Sequence, residues 1–170
     1  MSKSKLIQRL NWYYPTERFN AFMFVGVIVF VMIKFSIMDT IFLLYGLFIM
    51  TFILFQGQHY WKLKLYRLTN KPFEQAKNLA FFSKAKTINI YAIALIPVVF
   101  FIQLYYSKWD ITDKNLIIWA IIANLFGVLE HINYYHRQLM IDNDSDFNYI
   151  KKHKKLKVAS LKKDLDEDEI

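Results

Sequence analysis

The chain has 170 residues, 55% of them hydrophobic and 18% aromatic, against an apolar share of roughly 45–50% in soluble domains, so its composition is that of a membrane protein. Four Gly and three Pro exclude collagen-like and low-complexity classes, and the absence of Cys excludes disulfide frameworks, thiolate metal centres and thiol nucleophiles. The net charge of +8 would suit a nucleic-acid binder, but the 22 Lys+Arg flank apolar runs instead of forming one patch, which excludes nucleic acid as the partner.

A helix crossing the hydrocarbon core needs roughly 20 apolar residues. Lys3, Lys5 and Arg9 resemble the start of a signal peptide, but no apolar core begins before Phe19 and no small-residue cleavage site follows, so the N-terminus is expected to stay uncleaved. The first span is expected over about 19–38, with Lys34 reaching the interface on its long stem. Asp39 breaks the apolar run, and the second span follows over about 40–60 as the return arm of a tight helical hairpin. In the connector, Pro72 opens a short helix with Glu74 in its first turn and apolar surface from Phe73, Ala76, Leu79, Ala80 and Phe82. This amphipathic cytoplasmic connector lies along the membrane or docks a partner. The third span covers about 88–106, and Pro97 should kink it near Ile93. The fourth covers about 115–135. Its cleanly apolar part ends at Leu129, so it either stops early or carries Glu130, His131 and Asn133 into the bilayer.

The expected fold is therefore all-α: a polytopic integral membrane protein with four transmembrane helices in two hairpins. Residues 1–141 form the transmembrane domain and 142–170 a charged cytoplasmic tail. In that tail Asp142, Asp144 and Asp146 have the spacing that opens a calcium loop. Phe147 stands where the loop needs Gly and His153 where it needs Glu, so helix capping by Asp144 or Ser145 is the better account. Seven lysines follow between Lys151 and Lys163, then five acids between Asp164 and Glu169. The tail either contacts anionic lipid, at about 1 kcal/mol per lysine near the surface, or stays solvated.

Orientation follows from charge. Nineteen Lys+Arg lie before Phe19, between Lys62 and Lys86, or from Arg137 onward, and only Lys34, Lys108 and Lys114 lie elsewhere. The positive-inside rule then places both termini in the cytoplasm. Trp12, Tyr13, Tyr14, Tyr60, Trp61, Tyr134 and Tyr135 mark the inner interface, and Tyr105, Tyr106 and Trp109 the outer one. A Lys-heavy, Arg-poor chain rich in Ile, Phe, Asn and Tyr matches AT-biased bacterial genomes, which points to a bacterial inner membrane.

At about 100° per residue, Ala120, Ala123, Asn124, Gly127, Glu130, His131 and Tyr134 share one face of the fourth helix, opposite Ile117, Ile118, Ile121, Ile122, Leu125, Phe126, Val128 and Leu129. Small residues admit a close neighbour and polar ones avoid lipid, so Ala120, Ala123 and Gly127 are expected to pack on another helix. Glu130, His131 and Tyr134 sit near the inner end of that face. With Gln56 and His59 of the second helix they make a candidate polar cluster, for which Arg18 or Lys84 would be counter-charges. His131 and His136 are five residues apart and point apart on an unbroken helix, so no metal set is assigned and no cofactor is expected. The chain has neither a G-x-S-x-G elbow nor a glycine-rich phosphate loop, no catalytic residue is named, and no continuous hydrophilic path can be traced.

The preferred function is an accessory, assembly or interaction component of the membrane. Its partners would be the lipid bilayer and a second copy or another membrane protein. The alternative is a membrane-embedded enzyme or ion/proton-handling protein using the polar cluster.

Overall fold

The computed structural model describes residues 3–111, 113–141 and 144–170. Among these the helices are α1 (Lys3–Lys34), α2 (Ile37–Leu68), α3 (Gln75–Ala94), α4 (Ile96–Tyr106), α5 (Ile117–Tyr135), α6 (Asp144–His153) and α7 (Ser160–Asp166). Four stretches are long and apolar enough to cross a membrane: α1, α2, the run Gln75–Tyr106 and α5.

Several boundaries differ from the sequence expectation, each for a local reason. α1 extends well upstream of Phe19. It carries Pro15 internally, and the Thr16 hydroxyl donates to the Trp12 carbonyl at 2.9 Å nearby. The α1–α2 turn falls at Phe35 and Ser36, ahead of Asp39, which joins the first turn of α2 where a carboxylate favours the helix dipole. Among the described residues the connector forms no helix separate from the third apolar run. Glu74 is the N-cap residue, and the helix that starts at Gln75 continues into the apolar run. Phe82 is accordingly fully buried. The helix is interrupted at Leu95, between Ile93, whose carbonyl loses its usual donor, and Pro97, which cannot supply one. Tyr45 from α2 donates its hydroxyl to the Ala92 carbonyl at 2.8 Å, so a neighbouring helix serves the break.

α2 is the central helix. In its most apolar stretch 56% of residues are buried, against 11% for α1, 17% for Gln75–Tyr106 and 33% for α5, and it packs on α1, α3, α4 and α5. α1 and α2 run antiparallel, as the ring contacts Phe22–Phe55 at 5.6 Å and Tyr13–Trp61 at 6.1 Å require. α2 and α5 run parallel: Gly46 faces Asn124, Ile49 faces Gly127 and Gly57 faces Tyr134, so both helices advance together. One core cluster gathers Phe42, Leu43, Leu47, Met50 and Leu54 with Ala21, Val31, Ala120 and Ala123. A second gathers Ile53, Tyr60, Leu63, Phe82 and Tyr135 with Leu161 and Ile170.

That second cluster decides the fate of the C-terminal segment. Expected as a solvated or lipid-bound tail, it keeps residues 151–155 exposed, while its last part packs on the bundle. Gln138 N–H donates to the Lys157 carbonyl at 3.0 Å and Ala159 N–H to the His136 carbonyl at 3.2 Å, which ties the segment before α7 to the end of α5. Leu161 and Ile170 are 1% and 0% exposed. Asp164 accepts the Tyr60 hydroxyl at 2.7 Å and pairs with Lys64 at 2.6 Å, and Arg67 pairs with Glu169. Of the residues with calcium-loop spacing, Asp142 lies outside the described residues, as does the side chain of Ser145; Asp144 opens α6.

Candidate functional site

The small face of α5 is turned to α2. Ala120, Ala123, Asn124, Gly127, His131 and Tyr134 are buried, while Ile118, Trp119, Ile121, Leu125 and Phe126 are more than half exposed. Asn124 donates to the Phe42 carbonyl at 2.9 Å and to the Ala120 carbonyl at 2.8 Å, so one amide joins the two helices. Gly46 makes this possible, because a Cβ there would stand 2.6 Å from the Asn124 side-chain nitrogen. A Cβ at Gly57 would overlap the Tyr134 hydroxyl. Close approach thus depends on small residues from both helices.

Among the described residues no hydrogen bond joins any two of the five candidate residues. Gln56 is 2% exposed and exchanges two hydrogen bonds with Asn89 of α3, at 3.0 and 2.9 Å, while its Oε1 also accepts the Tyr135 hydroxyl at 2.7 Å. Three helices meet in that triad. His59 turns elsewhere: its Nε2 lies 2.7 Å from Asn78 Oδ1, and its ring packs against Phe81 and Phe82. Tyr134 donates to Glu17 Oε1 of α1 at 2.9 Å. Glu130, half-buried one turn earlier, accepts from Asn133 at 3.4 Å. His131 packs as an aromatic, stacked on Tyr135 at 5.1 Å and edge-on to His136 at 5.3 Å, and neither of its ring nitrogens has a hydrogen-bond partner among the described residues. Neither Arg18 nor Lys84 forms an ion pair with Glu130 among the described residues.

His136 lies just past α5. Burial holds its imidazole below the ordinary value of 6.5, and the Lys86 and Lys162 cations push it the same way. No three of His, Asp and Glu gather into a metal-ligand set among the described residues.

The important partners that sequence reasoning missed are Asn89, Asn78, Tyr135, Glu17 and Gln103. Gln103 is fully buried; its Oε1 accepts from Phe42 N–H at 2.8 Å and its amide donates to the Asn115 carbonyl at 3.3 Å. The available signal was an amide within an apolar run, since a buried amide needs a partner and the cheapest partner is another amide or a hydroxyl. Asn89 and Gln103 both satisfy that test. Glu17 carries none, because it stands beside Arg18 just ahead of the apolar run that begins at Phe19, where a charged residue is ordinary.

The chain matches no protein-family model, no curated protein and no solved structure.

Proposed function

We propose that the chain is a multi-pass protein of the bacterial plasma membrane, with its four spans in two hairpins and both termini in the cytoplasm. It works there as an accessory, assembly or interaction component. The basic asymmetry supports the orientation. The observation that carries the functional reading is the use made of buried polar side chains. Gln56, Asn89, Tyr135, Gln103 and Asn124 are each engaged with another helix, so they hold the assembly together and are not gathered around a reaction centre. Exposed Lys151, Lys152, Lys154 and Lys155 suit anionic headgroups, and the outward apolar faces suit lipid, a second copy or another membrane protein.

A second reading, a membrane-embedded enzyme or ion/proton-handling protein, is favoured by Glu17, which meets Tyr134 from another helix, and by Glu130 one turn before that tyrosine. Two experiments test the proposal. Reporter fusions at Asp39 and Asp110 should read as external and those at Thr69 and Ser160 as internal; an external signal at Thr69 overturns the orientation. Isolation of wild type and Glu130→Gln in mild detergent should give the same stoichiometric partner for both, because the amide is nearly isosteric and keeps much of the hydrogen bonding. Stoichiometric metal in the wild type that is lost on substitution would overturn the interaction reading.

A further inference from the structure

The acid-rich end of the chain rests on the basic end of α2. Two of its acids pair inside α7 or just past it, Asp166 with Lys162 at 2.7 Å and Glu167 with Lys163 at 3.7 Å. Asp164 and Glu169 instead reach across to Lys64 and Arg67 of α2. The docking around these two contacts is mixed. Leu161 and Ile170 are buried in one cluster with Tyr60, Leu63 and Phe82, and the Gln75 amide donates to the Asp168 carbonyl at 3.1 Å.

The depth of the two cations matters. With α2 read as a span whose aromatic pair Tyr60 and Trp61 marks the interface, Lys64 stands about 6 Å beyond Tyr60 along the axis and Arg67 about 10 Å. The headgroup layer is roughly 5–8 Å deep. Side chains lean toward the N-terminus of their helix, which for α2 lies across the bilayer, so both long stems point back to the lipid. Asp164 and Glu169 thus hold the cations that lipid phosphates would otherwise reach. An anionic surface repels the acidic segment and attracts exposed Lys151, Lys152, Lys154 and Lys155 just ahead of it. Ion pairs this close to solvent are weak and exchange readily.

We propose that anionic phospholipid headgroups bind Lys64 and Arg67 in place of Asp164 and Glu169, so that an anionic bilayer releases residues 160–170 from the bundle. The inference rests on the reading of α2 as a membrane span. It does not rest on which side the termini occupy.

The full chain is placed in nanodiscs of phosphatidylcholine, with or without phosphatidylglycerol, and amide exchange over residues 160–166 is followed by mass spectrometry. Both faces of a nanodisc carry the same lipid, so orientation does not enter. Exchange should be at least ten-fold faster with phosphatidylglycerol, while the buried stretch of α2 from Leu43 to Leu54 keeps its rate. Phosphatidylglycerol retained on the protein after transfer to neutral detergent gives a second readout, on which the two sides of the contact act oppositely. Lys64→Gln with Arg67→Gln should lower retention at least three-fold, whereas Asp164→Asn with Glu169→Gln should raise it by a similar factor, because these changes unmask the cations. A merely structural ion pair would move neither. Inorganic phosphate added to phosphatidylcholine nanodiscs should leave exchange unchanged, and release by phosphate alone would overturn the lipid as ligand. Equal exchange in the two bilayers, or retention that ignores both pairs of changes, overturns the proposal. A chain that fails to enter nanodiscs at all refutes the membrane reading beneath it.

Discussion

Gly46→Ala tests the parallel contact of α2 with α5 most directly. The added methyl would lie 2.6 Å from Asn124 Nδ2 and 2.7 Å from the Asn124 backbone nitrogen. The amide can rotate away, but the backbone cannot. Since ordinary contact begins at 3.4 Å, the two helices must part by about 0.7 Å locally. Overpacking of this kind costs about 1–3 kcal/mol, and loss of the Asn124 bond to the Phe42 carbonyl adds about 1 kcal/mol. Replacing glycine by alanine in a helix returns up to about 1 kcal/mol. The net expectation is a destabilisation of about 2 kcal/mol. Gly26→Ala is the matched control: nothing lies within 4 Å of its Cβ position, so only the propensity gain remains and the variant should be more stable than wild type by about 0.5–1 kcal/mol. Unfolding in mixed micelles, followed by helical circular dichroism, reads both. If Gly46→Ala is as stable as Gly26→Ala, the close approach of α2 to α5 at Asn124 is refuted.

Gln56→Leu should cost about 2 kcal/mol, because it strands the Asn89 amide and the Tyr135 hydroxyl, and adding Asn89→Leu should cost less than a second independent change would; full additivity in a double-mutant cycle would refute the triad. Leu161→Ala should weaken docking of the C-terminal segment by about 2 kcal/mol and speed tryptic cleavage at Lys162 and Lys163 while the bundle keeps its helicity; an unchanged cleavage rate would count against docking. His136 charges less readily in the folded chain than in the unfolded one, so what stability it lends is present above its unfolded value and is lost as pH falls toward the lowered folded value. Lys86→Met should move its NMR titration midpoint upward, and an unmoved midpoint would remove Lys86 as a cause.

The sequence was most readable where one physical signal acted alone. The face that α5 turns to its neighbour follows from the 3.6-residue period, although the apolar run alone leaves its end open between Leu129 and Tyr135, and the break near Pro97 follows from one missing N–H. Where signals compete, the reading failed. The lysines between Lys77 and Lys86 looked like a surface connector, although their stems are compatible with one helix running from Gln75 into the apolar stretch. Leu161 and Ile170 stand among charges, and local spacing does not specify that they dock on the bundle instead of facing water or lipid. At the candidate site, Gln56 stood out as an amide in an apolar run, but nothing local says which helix it will face. His59 lies only one turn on, and it still leaves Gln56's network for Asn78, because α3 offers acceptors at two heights.

The pairing of α2 with α5 also bears on how the chain is made. Chains emerge N-terminus first, and α2 is complete at Leu68, well before α5 begins at Ile117. Throughout that interval the seats at Gly46 and Gly57 stand empty. Gln56 receives Asn89 first and Tyr135 only later, so α2 passes through a half-saturated state. Ribosome stalling or premature termination between α4 and α5 would therefore release a product with an open apolar groove and an under-partnered amide. Such a fragment is a natural target for membrane quality control, and a free α5 peptide supplied in trans is the one element shaped to rescue it.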